Sequence, residues 1–134
     1  MTAPEMELTD DEWRARLSPD QYEVLRRSAT EPAWSGTYLH VDEEGAFRCA
    51  GCGTALFATD AKFDSGSGWP SFDRAIAEGT VEERPDHSHG MDRTEIVCVH
   101  CGGHLGHLFP DGPTDTGLRY CVNSLAIEFE PASE

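Results

Sequence analysis

The sequence has no apolar run approaching the ~18 residues of a membrane span, so membrane insertion is not expected. Positive charge is scarce: 10 Lys and Arg stand against 25 Asp and Glu, a formal net charge of −15. A chain that negative is repelled by phosphate backbones and anionic lipid, which excludes nucleic acid and membrane surfaces as partners. The first residues carry neither a basic nor an apolar segment, so no signal peptide is expected and the chain is assigned to the cytoplasm. Internal repeats are absent beyond two cysteine pairs, and there is no low-complexity tract. Hydrophobic residues make up only 38% and aromatics 9%, yet three Trp and six Phe suffice to anchor a core. The 134 residues amount to one domain. A domain of that size buries roughly two-thirds of its unfolded surface. We read residues 1–134 as a single domain and expect a monomer, with a helical lead-in over 1–33 and a β core over 34–130.

Local patterns support that division. Thr9 with Glu12 forms a capping box, and Leu8 and Trp13 are placed as its hydrophobic staple. Ser18 as N-cap, Pro19 at the first helical position and Gln21 repeat the device, with Leu17 and Tyr22 as staple. The run Thr30-Glu31-Pro32 is expected to end the second helix. Beyond it, thirteen glycines and eight prolines favour turns and short strands. A hairpin is predicted from residues 37–41 and 46–49, with further strands at 81–84, 94–97, 118–122 and 125–130. The fold class is mainly β and antiparallel, behind short N-terminal helices.

The five cysteines lie at 49, 52, 98, 101 and 121. In reducing cytosol, paired Cys-x-x-Cys motifs point to metal or redox chemistry more than to structural disulfides. Cys49-Ala50-Gly51-Cys52-Gly53 and Cys98-Val99-His100-Cys101-Gly102 share one shape. Two intervening residues let a tight turn aim both sulfurs at one ion, and the following Gly accepts the positive φ of such a turn. Four thiolates are the set of a closed tetrahedral zinc site, so Cys49, Cys52, Cys98 and Cys101 are read as ligands of one structural zinc. The interval from Cys52 to Cys98 far exceeds the roughly 15–20 residues of compact zinc ribbons, so the metal would staple two distant hairpins of a larger sheet. Redox-active pairs and unrelated buried thiols are the other readings of the same residues.

Cys121 is left over. In an alternating strand Leu118, Tyr120 and Val122 share one face, and Arg119, Cys121 and Asn123 the other. A neighbouring cation favours the nucleophilic thiolate; an ordinary thiol is only about 3% ionised at pH 7, and a pKa lowered by ~2 units makes thiolate the majority. A buried cysteine in a core strand fits the spacing equally well. Two further segments are unusual. Gly102-Gly103-His104-Leu105-Gly106-His107-Leu108-Phe109 reads as a loop with two groups that exchange protons near neutral pH. A second metal site from His104, His107 and His87 or His89 is the competing reading. Ser65-Gly66-Ser67-Gly68-Trp69-Pro70-Ser71-Phe72 displays Trp69 on a rigid turn, as the wall of a small apolar pocket or as a satellite core residue.

Taken in order, these segments resemble the methionine-R-sulfoxide reductases of the type B family. The resemblance spans residues 18–129 and rests on both Cys pairs, the Trp69 segment and Ser88-His89-Gly90-Met91. It rests equally on the His104–His107 segment, Asp111-Gly112-Pro113, and Gly117-Leu118-Arg119-Tyr120-Cys121-Val122-Asn123-Ser124. It implies two antiparallel sheets stapled by zinc away from the active site. It implies an oxidoreductase of protein repair under oxidative stress, acting on oxidised peptides and proteins. Cys121 would be the nucleophile that attacks the sulfoxide sulfur, with Trp69 at the methyl group. His104, His107, Phe109 and His89 would surround the sulfoxide, and Arg119 and Asn123 would orient it. Many members carry a second, resolving Cys where this chain has Ser67, so an external thiol, thioredoxin or another reductant, is the expected partner. The rival classes are a non-catalytic zinc scaffold, in which the fifth thiol is inert, and a hydrolase with histidine-bound metal.

Overall fold

A computed structural model describes residues 8–38, 41, 43–77, 79–87, 90 and 92–131. Two short helices lead the chain, α1 (Asp10–Arg16) and α2 (Pro19–Arg27), and both capping boxes form as read. Thr9 Oγ1 accepts the Glu12 amide at 3.2 Å while Glu12 Oε1 accepts the Thr9 amide at 2.9 Å. Ser18 and Gln21 make the same reciprocal pair at 3.2 and 3.0 Å. Helix α2 stops before the predicted Thr30-Glu31-Pro32. Ser28 turns left-handed at φ 60°, and the Ala29 amide closes on the Glu23 carbonyl at 2.9 Å. In the segment that follows, Glu31 is buried between exposed Thr30 and Pro32.

Nine strands follow among the described residues: β1 (Gly45–Cys49), β2 (Ala55–Ala58), β3 (Lys62–Phe63), β4 (Ser71–Phe72), β5 (Val81–Asp86), β6 (Arg93–Cys98), β7 (His104–Phe109), β8 (Arg119–Val122) and β9 (Ile127–Pro131). They form two antiparallel sheets, one of order β2-β1-β9 and one of order β3-β4-β8-β7-β6-β5. Phe47 and Phe57 from the small sheet meet Phe72 of the large one, at ring-centroid distances of 5.2 and 4.4 Å. That aromatic seam continues into Ile96, Leu105, Val122 and Ile127, and Trp13, Tyr22 and Leu25 close it from the helices. Each favourable ring pair adds about 0.5–1.5 kcal/mol beyond its buried area.

The strands predicted around residues 81, 94, 118 and 125 are all present, the last starting only at Ile127 because Ser124–Ala126 form a 3-10 turn. The predicted hairpin is different. Thr37 and Tyr38 are in a turn, residues 39 and 40 lie outside the described residues, and β1 pairs instead with β2 and β9. The His104–Phe109 segment, read as a loop for its glycines, is a strand between β6 and β8. Gly106 explains the sequence: a Cβ there would sit 1.9 Å from the Cys121 carbonyl oxygen, so only glycine permits this pairing. A bulge at Leu105 then resets the alternation, since Ile96 faces Gly106 but Val97 faces His104. Leu105 and Leu108, three apart, consequently both join the core. His104 and His107, also three apart, meet each other with ring centroids 5.5 Å apart.

Candidate active site and four-cysteine cluster

The Cys-x-x-Cys turns cap the β1–β2 and β6–β7 hairpins, and their sulfurs converge within 4.8 Å of one another. Cys49 and Cys101 Sγ are 3.6 Å apart, as are Cys52 and Cys98 Sγ. A tetrahedral zinc with Zn–S near 2.3 Å needs sulfurs about 3.8 Å apart, so the four residues fit such an ion. Gly53 and Gly102 take φ 85° and 76°, the positive values the turn demands. The two hairpins belong to different sheets, so the cluster joins the small sheet to the large one and not two parts of a single sheet. The helices cover it: Arg16 Nε donates to the Gly51 carbonyl at 2.6 Å, and an Arg26 guanidinium nitrogen to the Cys101 carbonyl at 2.9 Å. Hydrogen bonding from Cys101, then from Cys52 and Cys98, and burial push the Cys49 thiol up. A bound cation removes that conflict by favouring thiolate at every sulfur. No other group of three or more metal-binding side chains occurs among the described residues. His87, His104 and His107 each bond a carboxylate instead.

Cys121 lies in the middle of the large sheet, with Ser71 of β4 and His107 of β7 as its cross-strand partners. The alternation on β8 holds: Val122 is core, Tyr120 packs edge-on against Phe57 at 5.6 Å, and Arg119, Cys121 and Asn123 line a cleft of about 220 Å³. Trp69, His107 and Phe109 line the same cleft, so six of the residues singled out in the sequence are brought together. Ser67 also lines it, its hydroxyl 3.8 Å from the Cys121 sulfur. His104 is behind this wall, 3% exposed, with Nδ1 2.6 Å from Glu95 Oε2 and its ring against His107. His89 lies outside the described residues.

The electrostatics correct one expectation. Burial pushes the Cys121 thiol above its ordinary value of 9.0, against the Ser67 hydroxyl and the Arg119 guanidinium, which pull it down. Desolvation of a thiolate beneath apolar rings outweighs one neighbouring cation that is itself engaged. Arg119 spends its charge on Asp111, with nitrogen–oxygen distances of 2.8 and 3.2 Å, and stacks on Phe109 at 4.4 Å. Burial also lowers His107, opposed by Asp86, whose Oδ2 lies 2.7 Å from His107 Nε2. Asn123 is engaged at both ends of its amide: Nδ2 donates to the Leu105 carbonyl and Oδ1 accepts the Glu31 amide, each at 3.0 Å. Thr30 and Arg93 line the cleft without having been anticipated, and Glu95 and Asp86 hold the histidines. No local signal in the sequence marked those carboxylates; strand order brings them to the histidines.

A mainly β protein with a cysteine-stapled pair of sheets and a lone thiol under a Trp–His–Phe wall defines a recognisable class. Residues 17–131 match the family described as the SelR domain, and the chain belongs to that family. Its relatives include proteins named peptide methionine sulfoxide reductase MsrB. That of Bradyrhizobium diazoefficiens is 58% identical over 123 residues, covering 92% of this chain and 88% of the relative. That of Thiobacillus denitrificans is 55% identical over 123 residues, covering 92% and 93%, and that of Agrobacterium fabrum 50% identical over 131 residues, covering 98% and 97%.

Proposed function

We propose that this protein reduces methionine-R-sulfoxide in peptides and proteins to methionine, with Cys121 as nucleophile. The observation that carries the reading is the Cys121 thiol at the base of a small cleft walled by Trp69, His107, Phe109 and Arg119. The indole and phenyl faces suit a methyl thioether, and the guanidinium and imidazole suit a sulfoxide oxygen. The raised Cys121 and lowered His107 leave the resting pair uncharged near neutrality. The proton required by the leaving oxygen is therefore the thiol's own. His107, the cross-strand neighbour, takes it as sulfur attacks sulfur and passes it to the oxygen. The sulfur–oxygen bond of the substrate breaks as the sulfur–sulfur bond forms, and the oxygen departs as hydroxide. Hydroxide then adds to the Cys121 sulfur, the sulfur–sulfur bond breaks, methionine leaves as the neutral thioether, and Cys121 is oxidised by two electrons to the sulfenic acid. His104, backed by Glu95, supports the His107 ring from behind.

An external thiol then condenses with the sulfenic acid, releasing water and leaving a mixed disulfide that the donor's second thiol resolves. Ser67 beside the sulfur offers no thiol of its own, and drawing on the zinc ligands would sacrifice a stabilising site. A thioredoxin-like dithiol is therefore the reductant we assign. We also assign one structural zinc to Cys49, Cys52, Cys98 and Cys101, and place the single-domain monomer in the cytoplasm. The test is reduction of a racemic methionine sulfoxide peptide with dithiothreitol, each epimer scored separately. Consumption of the R epimer alone is expected; an untouched R epimer sinks the reading.

A further inference from the structure

We propose that Glu31 is a positioning residue that holds two walls of the cleft from behind, an inference resting on the reading of that cleft as the methionine sulfoxide site. Its main chain sits between those walls. The Glu31 carbonyl accepts the Trp69 indole N–H at 2.9 Å, and the Glu31 amide donates to Asn123 Oδ1 at 3.0 Å. Thr30, the preceding residue, lines the cleft itself.

The side chain fixes that main chain. Glu31 is 3% exposed, and its Oε1 accepts the Leu125 amide at 3.0 Å, in the 3-10 turn that follows the Cys121 strand. Its Oε2 is buried without a hydrogen-bond partner among the described residues. The fit around that oxygen is tight: a Cβ built on Gly36 would lie 2.5 Å from it and 2.2 Å from Ser124 Oγ. A carboxylate with one oxygen unpaired is a costly way to fill interior space, where an apolar side chain would serve. What it does achieve is an anchor between the segment entering from α2 and the turn leaving β8. The segment is tied a second time where the Trp34 amide donates to the Gly68 carbonyl at 2.7 Å, one residue before Trp69. The side chains that act on the Cys121 thiol, Ser67, Arg119 and Ser71, make no hydrogen bond to Glu31 among the described residues. Removing the anchor therefore loosens Trp69 and Asn123 without removing a partner of the Cys121 sulfur.

The experiment compares full-length wild type, Glu31→Gln, Glu31→Asp and Glu31→Ala on an R-sulfoxide peptide with dithiothreitol, alongside metal content, melting and the rate of Cys121 alkylation by iodoacetamide. Glu31→Ala should raise KM about tenfold or more, since misplacement of binding groups by ~1 Å costs up to ~10²-fold. Its metal content should match wild type, and its Cys121 alkylation should be no slower. Glu31→Gln keeps an acceptor for Leu125 and should stay within about twofold. An unchanged KM in folded Glu31→Ala overturns the proposal, as does a Glu31→Gln enzyme as impaired as Glu31→Ala. Should Glu31→Ala fail to fold, Glu31→Asp, one methylene too short, is measured with and without Trp69→Phe. The KM rise should shrink when the indole N–H is already gone, and equal rises in both backgrounds defeat the proposal. Wild type that leaves the R epimer untouched defeats the underlying reading instead.

Discussion

The same side chain does two different things at two places in this fold. At the hairpin ends, four cysteine sulfurs lie within 4.8 Å of one another beneath two helices. In the middle of the large sheet one cysteine stands among hydroxyls, an imidazole and aromatic rings, at the base of a cleft. The cluster is closed: each sulfur is surrounded by others, so it can give its lone pairs to one ion and to little else. Cys121 has no such companion among the described residues, and the Ser67 hydroxyl is 3.8 Å from its sulfur. The two places differ in the number of neighbouring sulfurs more than in depth, because Cys121 at 9% exposed is nearly as buried as Cys101 at 1%.

The largest test of that contrast is Cys98→Ser. Structural zinc supplies about 10–16 kcal/mol, as much as the ~5–15 kcal/mol stability of a whole domain. Loss of metal together with the far-UV and near-UV circular dichroism of the fold is expected, and folded, active, metal-free protein would erase the distinction. Cys121→Ser should do the opposite, abolishing sulfoxide reduction with metal content and melting temperature unchanged. Retention of more than a small fraction of activity would remove Cys121 from the chemistry.

His107→Ala comes next, with a loss in kcat of about 10²–10⁴-fold, the range of a positioned proton donor. His104→Ala should lose less, because it reaches the cleft through His107. Equal losses would place both rings at the substrate. The smallest effect is on thiol acidity. Because burial raises the Cys121 thiol, its alkylation rate should climb with pH to a midpoint above 9.0, as thiolate forms only there. Arg119 favours the thiolate, so Arg119→Met should move the midpoint further up. A wild-type midpoint near neutrality would mean that the guanidinium, not burial, governs the sulfur.

Both helices and both metal turns were legible in the sequence because each is decided within a few residues. A capping box needs only Thr9 and Glu12, and a Cys-x-x-Cys-Gly turn carries its own backbone geometry. Alternation along β8 likewise placed Arg119, Cys121 and Asn123 on one face before any partner strand was known. The β7 strand was illegible for a physical reason. Its glycines suppress strand propensity locally, yet Gly106 is required there by the Cys121 carbonyl of the next strand. The Leu105 bulge similarly has no local sign, and it alone turns His104 and His107 to the same side. The acidity of Cys121 was read from one neighbour in sequence, whereas burial beneath the assembled cleft reverses its direction. Residue identity and spacing thus determined the local elements, the pairing of the cysteines into two like turns and the strand face of Cys121, since those depend on covalent geometry and nearby contacts. Desolvation, carboxylate pairing and the hold of Glu31 on Trp69 and Asn123 depend on which distant strands lie side by side, and only the tertiary structure decided them.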